Sequence, residues 1–382
     1  MRRALWLFVG AIALSSAVAV NGYTVSTFPA IHERLTYLST ACAKDNNGID
    51  EGDGRFRVHC VFDDARWRDS QIASLDFRHR DIGNVAKLLR LQPLERATRW
   101  SDDPGNAGMK HRTLAKYGAL LKFGCKKKDY VGTTLYDVGL MCSGHYGKLG
   151  FLHAMMSSDD WQRMSGLAYV PRISGEQARD RTRDKILAWA AFTYDVAVGK
   201  QTLGQPVCEA ITSSTAYAAL TDAFRDNLDK PAFCTGRADT WTVGRFFTFF
   251  CVNPSLNEPC GAIDNADDNA TRTNAEGALL HMIQDSYSQS HVRRLRYGQS
   301  SGSPSPAAIV CTAPLVYYYY DPSNRIYHSS YDEEPWVDAV SCSGGAVDDP
   351  VSAGATLISM LRAGRPSTDF VTYLKQHVFP TR

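Results

Sequence analysis

Residues 278–294 read ALLHMIQDSYSQSHVRR, and this stretch decides which fold and which site the chain can form. His281 lies between the apolar residues 278–280 and 282–283, so the segment predicts a largely buried helix. Asp285 follows His281 by four residues, and side chains at that spacing share one helix face. An imidazole and a carboxylate on one face can bind the same metal ion. The stretch therefore predicts a helical fold built around a pair of metal ligands.

A second histidine and a second pair extend this pattern. His291 follows Asp285 by six residues, which displaces it by about 120° around a helix. We therefore expect His291 to bind a neighbouring metal ion. The same His-x3-Asp spacing recurs at His328 and Asp332, and this repetition makes the spacing more specific for metal binding.

Two simpler interpretations apply to such pairs. Histidines and carboxylates at this spacing also form ordinary surface pairs. A buried histidine can instead donate a hydrogen bond to another buried side chain. Metal binding is favoured at His281 because an imidazole inside an apolar helix needs a partner.

The rest of the chain is predicted to be all-α, a multi-helix domain with long loops stapled by disulfides. Apolar residues recur at helical spacing around 31–38, 114–123, 184–198, 216–228, 275–292 and 353–361. Alternating strands are scarce, and Val316 followed by Tyr317 to Tyr320 predicts one isolated strand. The acidic segment 264–269 predicts a surface loop.

Length and charge define the class of protein. The 382 residues are 44% hydrophobic and 21% charged, which are ordinary globular values that argue against disorder over most of the chain. Forty-two basic and 40 acidic residues leave a net charge of +2, so no global field favours nucleic acid. No repeat or linker divides the chain, and we expect one catalytic domain over residues 20–382.

The N-terminus predicts secretion. Arg2 and Arg3 precede the apolar residues 4–14 and a small-residue site at 17–19, as in a cleaved signal peptide. We expect a signal peptide over residues 1–19, Val20 as the first mature residue, and an extracellular or periplasmic location. The apolar run is too short for a comfortable membrane span, although an uncleaved anchor is an alternative.

Ten cysteines without a C-x-x-C pair predict disulfides in an oxidising compartment. Pairing between sequence neighbours is the simplest scheme: Cys42 with Cys60, Cys125 with Cys142, Cys208 with Cys234, Cys251 with Cys260, and Cys311 with Cys342.

The H-x3-D-x5-H spacing of His281, Asp285 and His291 resembles the signature of the zinc-dependent phospholipases C. This helical family is related to the zinc-dependent single-strand nucleases. Family members place a His-x3-Glu pair after the signature, and here His328 and Asp332 take that place with a shorter carboxylate. They also have, before the signature, a histidine near the mature N-terminus, an aspartate after a helix, and another histidine.

The resemblance implies candidates for these three positions. His32 lies 12 residues after Val20, whose freed α-amino group would be a ligand as in the family, although members usually begin with tryptophan. A helix-face histidine without metal is the alternative for His32. The Trp-Ser-Asp stretch ending at Asp102 resembles the Trp-Ala-Asp stretch of the nucleases, with a helix-capping turn as its alternative. His153 is preferred for the remaining histidine, and His145 stays open as a ligand.

The resemblance implies up to three zinc ions in one cleft. The first would be held by Asp102, His153, His281 and Asp285; the second by Val20, His32 and a bridging Asp285; the third by His291, His328 and Asp332. Asp102 would also be the catalytic residue that orients or deprotonates the attacking water.

The implied activity is that of a secreted zinc phospholipase C. Such an enzyme hydrolyses the glycerol-side phosphodiester bond of phospholipids such as phosphatidylcholine with a metal-activated water. We expect a monomer whose partner is phospholipid at a membrane surface, with no stable nucleic-acid partner. A zinc-dependent single-strand nuclease is the alternative enzyme, and a secreted disulfide protein with structural histidines is the alternative without catalysis.

Overall fold

The computed structural model of the protein describes a defined part of the chain. The described residues are 31–45, 49–50, 56–60, 92–102, 140, 143–145, 147–158, 160, 175–225, 241–248, 267–288, 291–294, 312–319 and 347–381. The predicted signal peptide, the predicted helix at 114–123, and the candidate ligands Val20, His328 and Asp332 lie outside these residues.

The described elements are mostly helical, as the sequence predicts. The helices are α1 (Ile31–Asp45), α2 (Pro93–Ala97), α3 (Gly175–Ala197), α4 (Val207–Thr212), α5 (Thr221–Arg225), α6 (Val243–Phe246), α7 (Asp268–Asp285), α8 (Pro350–Arg362) and α9 (Ser367–Tyr373). Short 3₁₀-helices cover Gly150–His153 and Thr215–Leu220, and a π-helical turn covers Leu374–Val378. The strands β1 (Ile49–Asp50) and β2 (Phe56–Arg57) pair antiparallel, as do β3 (Val292–Arg294) and β4 (Pro314–Tyr317).

Helix α7 carries the decisive stretch, but its ends differ from the prediction. Asp267 caps the helix by accepting a hydrogen bond from the Ala270 amide at 2.6 Å. The prediction of a surface loop over 264–269 is therefore wrong for its last residues, which form the start of α7. An acidic residue before a helix accepts hydrogen bonds from the free amides of the first turn and so favours helix initiation. The helix ends at Asp285 rather than near residue 292.

The chain then turns, which places His291 outside the helix. The His291 amide donates to the Ser288 carbonyl at 3.1 Å, and β3 begins at the next residue. The expected 120° displacement of His291 around a continuous helix is therefore wrong. The direction of His291 depends on this turn instead.

The strand expected to be isolated is paired. β4 lies against β3 with Val292 opposite Tyr317 and with a bulge after Arg293. Beyond the strand, the Tyr318 amide donates to the His291 carbonyl at 2.8 Å, and the Tyr318 carbonyl accepts from the Met156 amide at 2.9 Å. The prediction of an isolated strand was wrong because the periodicity of the sequence assigns the start of β3, the partner strand, to the preceding helix.

Close packing positions α7 against α2 and α3. A Cβ atom on Gly277 would overlap the backbone of Ala97, so glycine allows α2 to approach α7 closely. Buried aromatic residues fill the space beside these helices, with Trp189 stacked on Phe247 at 5.6 Å between ring centroids. This packing holds the C-terminal end of α2 next to the middle of α7.

Helix α1 packs on α8, and a disulfide fixes the segment that crosses them. Cys42 and Cys60 are bonded as predicted. The Cys60 amide donates to the Ser352 hydroxyl at 3.0 Å, which fastens the segment to α8. Cys208 is also disulfide-bonded, and its predicted partner Cys234 lies outside the described residues. The three remaining predicted pairs also lie there.

Other helix boundaries were approximate. α3 begins at Gly175, before the expected 184, and the helix expected from 216 begins as a 3₁₀ turn that continues into α5. No helix in the described ranges combines the length and the apolar character needed to cross a membrane.

Candidate metal centre

Seven of the ten predicted site residues are described, and the structure brings all seven together. They are His32, Asp102, His145, His153, His281, Asp285 and His291. They come from α1, the turn after α2, the segment around the 3₁₀ turn at 150–153, α7, and the turn before β3. Helix packing, rather than proximity in sequence, therefore assembles the cluster.

The centre of the cluster is a pair of imidazole nitrogens. Nδ1 of His153 and Nε2 of His281 lie 3.0 Å apart. Oδ2 of Asp285 lies 3.0 Å from the first nitrogen and 2.9 Å from the second. Oδ1 of Asp102 lies 3.6 Å from both. Each carboxylate oxygen therefore completes a triangle with the same two nitrogens.

These spacings fit the ligands of a small divalent cation. Zinc binds nitrogen and oxygen ligands at about 2.0–2.1 Å, which places neighbouring ligand atoms of a tetrahedral site about 3.3 Å apart. The five separations between the two nitrogens and the two carboxylate oxygens run from 2.9 to 3.6 Å. A single proton between the nitrogens would satisfy that pair alone, whereas a cation would contact nitrogens and carboxylates together. The residues present therefore fit a metal ion.

Asp285 also faces a second group of ligands. Its Oδ1 atom lies 3.5 Å from Nε2 of His32, while Oδ2 points to His153 and His281. One ligand atom from each of His32, His281 and Asp285 falls within 4.8 Å of the others, as it does for Asp102, His153 and His281. The carboxylate thus stands between two possible metal positions, as a bridging aspartate would.

Hydrogen bonds to the opposite ring nitrogen orient three of the histidines. Nδ1 of His281 donates to the Thr98 carbonyl at 2.7 Å, and Nδ1 of His291 donates to the His153 carbonyl at 2.9 Å. Nδ1 of His32 donates to Oε1 of Gln284 at 2.7 Å. A proton fixed on Nδ1 leaves Nε2 as the ligand atom, which is the usual arrangement around protein-bound metals.

Sequence analysis did not identify Thr98 or Gln284. Thr98 acts through its backbone carbonyl, which carries no residue-specific signal. Gln284 precedes Asp285 directly, and a buried polar side chain inside an apolar helix is the signal that points to it.

Burial and neighbouring charges shift the pKa values of the cluster's histidines in different directions. Burial lowers the pKa of His32 to about 4, and burial together with the neighbouring His145 lowers the pKa of His153 to about 3. At His281 burial acts in the same direction, but the carboxylates of Asp285 and Asp102 outweigh it and raise the pKa to about 9. The metal-free cluster therefore holds His281 as an imidazolium between two carboxylates.

The carboxylates of Asp285 and Asp102 stay ionised because the neighbouring histidines outweigh the effect of burial on their pKa values. Burial would raise the pKa of Asp285, but His281 and His291 hold it well below its usual range. Burial also opposes ionisation of Asp102, and His281 and a hydrogen bond with His145 nevertheless lower its pKa. Asp102 and Asp285 carry two negative charges against the single positive charge of His281, and this excess of negative charge attracts a divalent cation.

The choice between His145 and His153 is not exclusive. His153 faces the centre, and its buried Nε2 atom has no hydrogen-bond partner in the part of the chain that the structure describes. The His145 ring lies 4.4 Å from the His153 ring, and its Nε2 atom lies 3.4 Å from Oδ1 of Asp102. His145 therefore contacts a ligand rather than joining the two groups that could hold a metal ion.

His291 lies beside Oδ2 of Asp285, the oxygen that also faces His153 and His281. Its Nδ1 atom is 3.5 Å from Oδ2 of Asp285 and donates to the His153 carbonyl at 2.9 Å. The predicted third metal position needs His328 and Asp332 as well, and both lie outside the described residues.

Comparison with known proteins finds no relative. No protein-family model, curated protein or solved structure matches the chain. The function must therefore be inferred from the site residues and their geometry.

Proposed function

We propose that the protein is a secreted zinc-dependent phosphodiesterase of the phospholipase C type, which hydrolyses the glycerol-side phosphodiester bond of phospholipids such as phosphatidylcholine. One observation carries the proposal. His153 and His281 bring ligand nitrogens within 3.0 Å of each other, between the buried carboxylate of Asp285 and that of Asp102. Nitrogen and carboxylate ligands without thiolate are typical of catalytic zinc sites.

A bound zinc ion supplies Lewis acidity towards phosphoryl oxygens and a hydroxide nucleophile at neutral pH. The chain itself provides the rest. Asp285 and Asp102 supply two negative charges that balance a divalent cation. Asp102 is on the accessible side, since 12% of its side chain is exposed against 1% for Asp285. This exposure supports the proposal that Asp102 accepts the proton of the attacking water.

The substrate class rests on the resemblance of the ligand order to the phospholipases C. The ligands follow one another in that family's order from His32 to His291, and the N-terminus has the character of a secretory signal. Single-stranded DNA is the competing substrate, because the related nucleases share the ligand order. The near-neutral charge of the chain favours phospholipid over a polyanion.

The test measures metal content and substrate preference together. Protein purified from a secreting host is expected to contain zinc and to hydrolyse phosphatidylcholine vesicles faster than single-stranded DNA. His281→Ala is expected to lose zinc and at least 100-fold in rate. His59→Ala is the matched control, since His59 is 43% exposed and contacts Asp348 rather than the cluster.

Three results would contradict the proposal. Protein without bound zinc whose stability is unaffected by chelators would remove the metal centre. Zinc-loaded protein that cleaves only DNA would assign the nuclease activity instead. Full activity of His281→Ala would show that the site is elsewhere.

A further inference from the structure

Gln284 links α1 to the candidate metal centre through both atoms of its amide. Its Oε1 atom accepts from Nδ1 of His32 at 2.7 Å, and its Nε2 atom donates to the Thr36 hydroxyl at 3.0 Å. His32 and Thr36 are four residues apart on α1 and therefore share one face. All three side chains are fully buried. The amide is therefore held between two residues of the same helix face.

The orientation of this amide decides which nitrogen of His32 carries the proton. A neutral imidazole has one donor nitrogen and one acceptor nitrogen. Since Oε1 of Gln284 can only accept, the proton lies on Nδ1 and the lone pair on Nε2, which faces Oδ1 of Asp285 at 3.5 Å. The opposite amide orientation would move the proton to Nε2 and block it as a ligand, because a metal needs the deprotonated nitrogen.

We propose that Gln284 is a positioning residue that makes His32 a metal ligand by setting its tautomer, with Thr36 holding the amide in the required orientation. The inference rests on the metal centre proposed above and adds a residue to it. His281 and His291 differ from His32 in this respect. Their Nδ1 protons go to the backbone carbonyls of Thr98 and His153, and a carbonyl can only accept.

A purely structural role for Gln284 makes a different prediction. If the amide only satisfies buried polar groups between α1 and α7, its replacement lowers the stability and leaves the His32 tautomer unchanged. The tautomer is therefore the measurement that separates the two roles. Because it is observed in the metal-free protein, it does not depend on catalytic activity.

The experiment records long-range ¹H–¹⁵N correlation spectra of the histidine rings in metal-free, ¹⁵N-labelled protein. Wild type is expected to show His32 protonated on Nδ1. Gln284→Met keeps the approximate volume but removes the acceptor, and it is expected to move the His32 proton wholly or partly to Nε2. Gln284→Glu keeps an acceptor and should retain the Nδ1 proton. His291 is the internal control, since its Nδ1 proton goes to the backbone carbonyl of His153 and should not move in either variant.

Zinc titration gives the second measurement. Gln284→Met is expected to weaken zinc binding by about 10–100-fold, the usual effect of losing a residue that orients a ligand, and Gln284→Glu to preserve it. Gln201→Met is the matched control, because the Gln201 amide donates to the Tyr217 hydroxyl outside the cluster.

Thr36→Val provides a nearly isosteric variant if Gln284→Met does not fold. It removes the acceptor for the amide nitrogen and is expected to add a population of His32 protonated on Nε2. A single Nδ1-protonated His32 in the folded variants, with wild-type zinc affinity, would overturn the inference. That result would leave the phosphodiesterase proposal standing if zinc content and hydrolysis persist.

Discussion

Replacement of Gly277 by alanine tests whether the contact between α2 and α7 positions the metal centre. Helix propensity alone predicts that Gly277→Ala stabilises the protein by about 0.5–1 kcal/mol. The structure predicts the opposite sign, because the new Cβ atom would overlap the backbone of Ala97. Carbon atoms need about 3.5–4.0 Å between them, so the helices would have to separate by roughly 1 Å.

The expected magnitude combines these two effects. Overpacking in a core costs about 1–3 kcal/mol, which exceeds the propensity gain and leaves a net loss of roughly 1–2 kcal/mol. For a chain of 382 residues this loss corresponds to a fall in Tm of roughly 1–3 °C. The movement also separates the Thr98 carbonyl from Nδ1 of His281, now 2.7 Å apart. Zinc affinity should therefore fall by about 10–100-fold.

Calorimetry of the metal-free protein and zinc titration with a competing chelator would measure both effects. Gly204→Ala is the matched control, since no atom lies within 4 Å of its added Cβ, and it should leave Tm and zinc affinity close to wild type. A Gly277→Ala protein that melts at or above the wild-type temperature and binds zinc equally well would refute the packing argument.

Three further predictions concern the scaffold. Ala154 has φ 50°, a left-handed conformation that glycine adopts without steric cost. Ala154→Gly should therefore match or exceed the wild-type stability measured by urea unfolding. Ala363→Gly is the control, since Ala363 caps the end of α8 in a right-handed conformation, and it should lose about 0.5–1 kcal/mol of stability. The double substitution Cys42→Ser/Cys60→Ser should lower the free energy of unfolding by about 2–4 kcal/mol, and an unchanged urea midpoint would contradict a structural role for this bond. Burial raises the pKa of Glu276 to about 7, so its protonated form is favoured in the folded state and stability should fall as the pH rises from about 4.5 to 7. Glu276→Gln should remove this slope and be more stable than wild type by roughly 1–3 kcal/mol at pH 8, and equal pH dependence in urea titrations of the two proteins would contradict the assignment.

The location of the main helices could be predicted from periodicity, but their ends could not. Residues 275–285 do form a helix, because apolar side chains at that spacing bury one face. Tyr287 keeps the helical spacing four residues after Ile283, yet the helix ends at Asp285 and β3 begins at Val292. The strand forms because β4 supplies its partner, and a partner about 20 residues away in the chain is invisible to local periodicity.

Among the candidate ligands, too, local spacing predicts some contacts and the tertiary structure decides the others. His281 and Asp285 could be paired from their spacing, since four residues bring two side chains onto one helix face. The choice between His145 and His153 could not be made from the sequence. The structure places both at the cluster, with His153 at the centre and His145 against Asp102. Their roles depend on how the 3₁₀ turn at 150–153 packs against α7.

By itself, the sequence determined that the chain is mainly helical and that a histidine and an aspartate share one face of a buried helix. Each of these follows from composition or from short-range spacing. Only the tertiary structure decided that Thr98 and Gln284 orient the histidines and that Asp285 stands between two groups of ligands. The physical reason is that these contacts join residues more than 180 positions apart or depend on the packing of helices, and local patterns do not encode either.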